Sequence, residues 1–321
     1  MPTLLYSHSA CLAHDTGGHH VERPDRLRAV LGALAGAGFD GLDRREAPVA
    51  DLDDVALAHP RAFVDALLAA LPTDDLAALD ADTVVSPGSG EAALRAAGAV
   101  CAAIDAVVAG EADNAFCAVR PPGHHAEPAR PMGFCLFNSV AIGALHARTV
   151  HGLDRVAVID FDVHHGNGTQ AMFQDDRHLF YASTHQWPLY PGTGAEEETG
   201  VGNVVNAPLP AGAGGDAVKR AFDRRILPAL SRFGPDLVLI SAGFDAHRAD
   251  PLAGLRLESD DFGWVTDALC AAADESCGGR VVSLLEGGYE LAALADSAAC
   301  HVERLMAAAE ARHDDREEAH G

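Results

Sequence analysis

Residues 156–169 read V-A-V-I-D-F-D-V-H-H-G-N-G-T, an apolar, β-branched run that ends in Asp160, Asp162, His164 and His165 before a Gly-Asn-Gly turn. Such a run bounded by glycines is the pattern of a buried parallel strand. Carboxylates and imidazoles at the end of a buried strand are costly unless something neutralises them, and a divalent cation is the simplest neutraliser. Residues i and i+2 point to one side of a strand, so Asp162 and His164 are placed to grip the same ion. Open α/β sheets bind ligands just beyond the carboxyl ends of their strands, where this run stops.

A catalytic zinc takes three protein ligands and keeps one position open. Asp245 is the best third ligand, because it follows the apolar run 237–242 across Gly243, where a short turn can deliver its carboxylate over the sheet edge. His124 and His125 follow Pro121, Pro122 and Gly123, a rigid turn that would hold both rings. Beside a metal they become candidates for general base and acid. Zinc lowers the pKa of the water it binds toward ~7; a neutral imidazole can take the proton as water attacks a carbonyl and then hand it to a leaving amine. Tyr289, preceded by Gly287 and Gly288, is placed to donate its hydroxyl to a developing oxyanion, while the two glycines allow a sharp turn and a close backbone approach.

The elements that must position these groups follow a repeated β-then-α rhythm. Strands are expected at 3–6, 115–119, 155–161, 179–184, 237–242 and 281–285, and helices at 26–37, 91–108, 138–147, 216–233, 260–276 and 291–311. That alternation indicates a parallel, doubly wound α/β sheet in one domain. The polar segments 120–125, 160–167, 183–185, 243–250 and 286–289 each follow a different strand, so five loops rich in Gly, His, Asp and Tyr should surround one pocket. The body is expected to span 1–309, with 310–321 a charged, frayed tail in which His313 and His320 have no role.

Composition narrows the classes further. The 321-residue chain carries 47 acidic and 23 basic residues, a formal net charge of −24, which repels nucleic acid and attracts cationic partners such as a Lys-rich peptide or a polyamine. No apolar run is long enough to cross a membrane, and residues 1–13 lack the basic and apolar regions of a secretory leader. Seven scattered cysteines, never spaced C-x-x-C, point to a reducing, cytoplasmic setting without disulfides. A homo-oligomer is compatible with this composition, which sets no oligomeric state.

Taken together, R-P-P-G-H-H-A at 120–126, G-F-C-L-F-N at 133–138, D-F-D-V-H-H-G-N-G-T-Q at 160–170, P-G-T-G at 191–194, G-F-D-A-H-R-A-D-P-L at 243–252 and E-G-G-Y at 286–289 resemble the zinc-dependent histone deacetylase family, in its class II and bacterial amidohydrolase branch. The resemblance runs from about Thr3 to about Met306. It implies the arginase/deacetylase fold, a mostly parallel eight-stranded sheet between helices, with one zinc held by Asp162, His164 and Asp245. It makes His125 the general base and then acid, and His124, paired with Asp160, its electrostatic support. Asn167 stands where class I relatives carry an Asp behind the second histidine; a neutral amide does not favour imidazolium as a carboxylate does, so His125 should accept a proton more readily. The family also implies a structural potassium near Asp160, Asp162, His164, Ser183 and Thr184, and a narrow substrate channel walled by Gly133, Phe134 and Tyr190, with Leu252, Gly287 and Gly288 also expected to be substrate-binding. Glu22, Arg23 and Pro24 resemble the family's N-terminal loop, with a structural role.

The implied substrate is an acylated amine, acetyl-lysine in a protein or peptide first. Acetylpolyamines use the same machinery, and selective relatives are expected to set an acid near the channel mouth; after Asp250 and Pro251 this chain has Leu252, which favours acyl-lysine. Ureohydrolase chemistry on the same fold needs two manganese ions and extra carboxylates, but His247 stands two residues beyond Asp245, so the site reads as mononuclear. A non-catalytic binding module is disfavoured because every expected catalytic position is filled.

Overall fold

The runs V-A-V-I-D, L-V-L-I-S-A and V-V-S-L-L are buried at every position. Strands with no polar face to turn to water need cover on both sides, which places them centrally in a parallel sheet. The computed structural model describes the backbone of residues 1–320 and the side chains of residues 1–313. Its strands are β1 (Thr3–Ser7), β2 (Asp43–Glu46), β3 (Ala77–Ala78), β4 (Val84–Val85), β5 (Asn114–Cys117), β6 (Val156–Asp160), β7 (Leu179–Gln186), β8 (Val204–Leu209), β9 (Leu237–Ala242) and β10 (Val281–Leu285). Eight of them form one sheet in the order β2-β1-β5-β10-β9-β6-β7-β8, and every neighbouring pair is parallel. The α/β class and the eight-stranded parallel sheet expected from sequence are what the chain adopts. β3 and β4 make a separate two-stranded antiparallel ribbon.

The five strands that precede the chemically loaded loops, β5, β10, β9, β6 and β7, are consecutive in the sheet. Because all run parallel, their carboxyl ends open at one edge, and the five loops meet there. Helices flank the sheet; Ser89–Val108 packs on Ser139–Thr149, and Ser259–Cys277 on Leu291–His320. Ser259–Cys277 is bounded by a reciprocal Glu258/Asp261 capping box and by Gly278 in the left-handed region at φ 63°, the conformation glycine adopts without a Cβ penalty.

Several boundaries differ from expectation. The two edge strands β2 and β8 carry no pattern of a buried strand: D-R-R-E is wholly charged and V-V-N-A-P-L holds a proline. Both suit an edge, where charge and proline discourage pairing with another chain. The expected helix 216–233 is divided by a π-helical turn, Phe222–Ile226. The short helices Leu52–Ala58, Arg61–Ala69 and Asn167–Phe173 were not anticipated. The final helix is longer than 291–311, reaching His320. Arg312, assigned to a frayed tail, is instead packed, its Nη1 2.6 Å from Asp274 and its Nε 3.6 Å from Asp113.

Candidate metal and catalytic site

Asp162 and His164 do not come together by the strand alternation expected from sequence. β6 ends at Asp160, so the two residues lie in the following loop and not on a strand. Successive side-chain turns fold that loop: Asp160 Oδ1 accepts from the Asp162 amide (3.1 Å), and Asp162 Oδ1 accepts from the His164 amide (2.9 Å). These short carboxylate-to-backbone bonds bring the i and i+2 side chains to one point as a strand would have done. Asp245 arrives from the loop after β9. His164 Nδ1 then lies 3.1 Å from Asp162 Oδ1 and 3.1 Å from Asp245 Oδ2. The three residues are buried and offer ligand atoms all within 4.8 Å of one another.

The other oxygen of each carboxylate is held by a backbone amide. Asp162 Oδ2 accepts from the Gly287 amide (2.8 Å), and Asp245 Oδ1 accepts from the Val163 amide (2.8 Å). A Cβ at Gly287 would lie 2.2 Å from Asp245 Oδ2 and 2.5 Å from Asp162 Oδ2, and one at Gly243 would lie 2.0 Å from Asp162 Oδ2. Glycine is therefore required beneath the carboxylates. The donor set is two carboxylate oxygens and one imidazole nitrogen, each carboxylate presenting one oxygen to His164 Nδ1. These donors fit a single borderline divalent cation such as zinc. Burial and the neighbouring charge of Asp162 push Asp245 up to about 7, whereas the two carboxylates, against burial, raise His164 to about 10. His165, the fourth polar residue of the run, is turned elsewhere, to Thr193 Oγ1 (2.8 Å) and Gln170 Oε1 (2.9 Å). His247 accepts from the Ala249 amide within its own loop, so no second acid or imidazole joins the trio from that position.

The paired histidines stand beside this cluster in contrasting surroundings. His124 Nδ1 lies 2.9 Å from Asp160 Oδ2, which also accepts from the Tyr181 hydroxyl at 3.1 Å. His125 Nδ1 lies 2.8 Å from Asn167 Oδ1. Burial works against charge on both rings, but Asp160 and Asp162 outweigh it at His124 and hold that ring well above the ordinary imidazole value. At His125 burial is reinforced by the His124 and His164 rings, and the pKa falls well below 6.5. Two like groups whose pKa values are driven apart are the mark of divided acid–base duties.

A cavity of about 240 Å³ opens onto this cluster, lined by His125, Phe134, His164, Tyr190, Leu252 and Tyr289 among others. Gly133, Phe134, Tyr190 and Leu252, expected in a substrate channel, all lie along it, together with Asp82 and Leu189, which sequence reasoning missed. Asp82 belongs to the Asp-rich turn before β4 and carried no apolar or motif signal of its own. Gly133, at φ 56°, also supports the His125 ring: a Cβ there would lie 2.5 Å from its Cδ2. Phe134 holds φ 69°, rare for a residue with a side chain. Gly287 and Gly288 do not line the cavity as expected; Gly287 packs on the carboxylates and the Gly288 carbonyl accepts from Arg26 Nε (2.5 Å). Burial raises the Tyr289 phenol well above 10, so it remains a donor at neutral pH. Asp160 and Ser183 are partners across the β6–β7 ladder, with Thr184 next in the strand. Both Asp160 oxygens already accept hydrogen bonds, and Ser183 Oγ bonds His185 Nδ1 at 2.9 Å. A potassium ion at these residues would rely largely on backbone carbonyls.

Two buried acids hold the frame: Glu286, to which the sequence assigned no role, and Glu22, expected to be structural. Glu286 accepts from the Gly123 amide (2.7 Å), the His124 amide (3.2 Å) and Ser241 Oγ (3.2 Å), locking the histidine turn to the glycine-tyrosine turn. Glu22 meets Arg26 Nη1 at 2.9 Å and Arg120 through Nε at 2.5 Å and Nη2 at 2.6 Å, all fully buried. Arg26 continues to the Glu286 carbonyl (2.5 Å) and stacks 4.8 Å over Tyr289. Burial disfavours the Glu22 charge, but Arg120 and then His14 outweigh it and hold the carboxyl well below 4.5. A depressed carboxyl contributes stability that is complete above its unfolded value and is lost as pH falls through the folded one. Breaking a buried pair by removing one partner costs about 3–5 kcal/mol. The expected result is that Glu22→Gln lowers the urea midpoint strongly at pH 7 and that its deficit against wild type shrinks below pH ~4. A deficit independent of pH would show that the charge is not what matters.

The geometry agrees with what similarity shows. A histone deacetylase domain matches residues 20–305. The chain belongs to the histone deacetylase family. It is 40% identical to a histone deacetylase-like amidohydrolase of Pseudomonas aeruginosa over 89% of this chain and 81% of that protein. It is 38% identical to the human polyamine deacetylase HDAC10 over 89% of this chain and 44% of that protein. The crystal structure of an HDA15 HD domain superposes with a TM-score of 0.88 at 34% identity, covering 96% of this chain and 90% of that one. As a member of this family, the chain is an amidohydrolase. Among the described residues no helix is long and apolar enough to cross a membrane.

Proposed function

We propose that this chain hydrolyses the amide of an acylated primary amine, acetyl-lysine side chains foremost, with Asp162, His164 and Asp245 holding one zinc ion. The observation that carries this reading is the cavity, lined by Phe134, Leu189, Tyr190 and Leu252 together with His125, His164 and Tyr289. Apolar walls suit the methylene stem of an acyl-lysine, and the polar lining suits its amide. Bound there, zinc supplies Lewis-acid polarisation and a more acidic water. His125, neutral and exposed to the cavity through its ring, accepts the proton of the attacking water and returns it to the leaving amine. His124, held charged by Asp160, stabilises the negative charge that develops nearby. Tyr289 donates its phenol to the carbonyl oxygen as it becomes an oxyanion. A potassium ion beside Asp160, Ser183 and Thr184, if held, is structural.

Asp82 favours a second reading. A carboxylate in the cavity wall can meet an amide N–H of a peptide, but it can equally meet the second ammonium of an acetylated polyamine. Acetyl-lysine peptide and N-acetylputrescine assayed side by side separate the two. We expect the higher kcat/KM for the peptide; a strong preference for N-acetylputrescine reverses the order.

A further inference from the structure

Behind His125 stand two groups in series. Asn167 Oδ1 lies 2.8 Å from His125 Nδ1, and Asn167 Nδ2 donates to Glu127 Oε1 at 3.0 Å. A side-chain amide has an acceptor end and a donor end that exchange on a half-turn, and the end facing His125 decides where the ring carries its proton. With Oδ1 inward, Nδ1 must be protonated, which leaves the Nε2 lone pair free to take a proton. With Nδ2 inward, Nδ1 becomes the acceptor, the proton moves to Nε2, and the ring is no longer a base there.

The other neighbours of Asn167 Nδ2 are poor selectors. The His125 carbonyl and Met132 Sδ are both 3.4 Å away, and thioether sulfur is a weak acceptor. The Glu127 carboxylate accepts only, so a flipped amide would set oxygen against oxygen. Glu127 is itself held by a tight turn, its amide 2.9 Å from the Arg130 carbonyl. No basic side chain is paired with its carboxylate among the described residues.

We propose that Glu127 is a positioning residue that acts through Asn167 to hold His125 in the tautomer protonated at Nδ1. The inference rests on His125 being the proton acceptor of the proposed reaction. It makes the His125–Asn167–Glu127 chain the counterpart of a histidine–carboxylate pair, with an amide between that orients the ring while keeping the negative charge one group away.

The test is a set of variants of the zinc-loaded full chain, read by 15N NMR of labelled histidines and by steady-state kinetics on an acetyl-lysine peptide. Glu127→Ala is expected to bring up the Nε2-protonated form of His125 and to lower kcat about 10- to 100-fold, with KM little changed. Glu127→Gln, whose side-chain oxygen still accepts from Asn167, is expected to restore most of both. In an Asn167→Asp background there is no donor end to misplace, so Glu127→Ala should cost nothing further or improve turnover. The proposal is overturned if Glu127→Ala leaves the tautomer unchanged, or if it costs the same factor with Asn or Asp at 167. Failure of the underlying reading is separate, because it would show as an active His125→Ala variant whatever Glu127 does.

Discussion

Asp245→Asn should fold normally and lose at least about three decades of turnover. Asparagine keeps an oxygen for the Val163 amide, so the backbone bond that seats the side chain survives. The free oxygen facing His164 Nδ1 and Asp162 Oδ1 becomes an amide that repels a cation. Lewis-acid stabilisation of a transition state is worth several kcal/mol, and each 1.36 kcal/mol is a factor of ten. Circular dichroism, metal content and kcat on an acetyl-lysine peptide measure the three parts of this expectation. A variant with one metal per chain and turnover within tenfold of wild type would remove Asp245 from the ligand set.

His125→Ala should lower kcat by about 10²–10⁴, the range for loss of a positioned general base, and leave KM nearly unchanged, because the apolar walls that grip the substrate stem are untouched. The pH profile carries the sign. His125 is pushed well below 6.5 by burial and by the neighbouring rings, so its base form is present throughout the neutral range and the acidic limb of kcat/KM should lie below that value. Asn167→Asp places a carboxylate 2.8 Å from Nδ1, stabilises the imidazolium, and should move the limb to higher pH. A limb that stays in place in this variant would mean that another group sets it.

Legibility in the sequence followed burial and local pattern. The strands ending near Asp160, Ala242 and Leu285 were readable because each is mostly apolar and stops at a glycine or a charge. β2 and β8 were not, since an edge strand is defined by a neighbour on one side only and D-R-R-E carries no periodic apolar signal. Asp162, His164 and Asp245 could be chosen because metal-ligand residue types stood at strand ends. The reason given for the first two was mistaken: side-chain turns in a loop, not the alternation of a strand, bring them together. Glu286, Asp82 and Glu127 were illegible as individuals, and Glu22 was read only as part of a structural loop. Glu22 meets Arg120 and Glu127 meets Asn167, both distant in the chain, and a lone acid in a sequence does not name its partner.

Three side chains from two loops must hold one cation that the reaction requires. Purified protein should be stripped with a chelator, then titrated with zinc while bound metal and deacetylation of an acetyl-lysine peptide are followed together. Activity should vanish on stripping and return in proportion to zinc up to one equivalent per chain, with no return in His164→Ala. Undiminished hydrolysis by the stripped protein, or recovery that needs two equivalents, would contradict it.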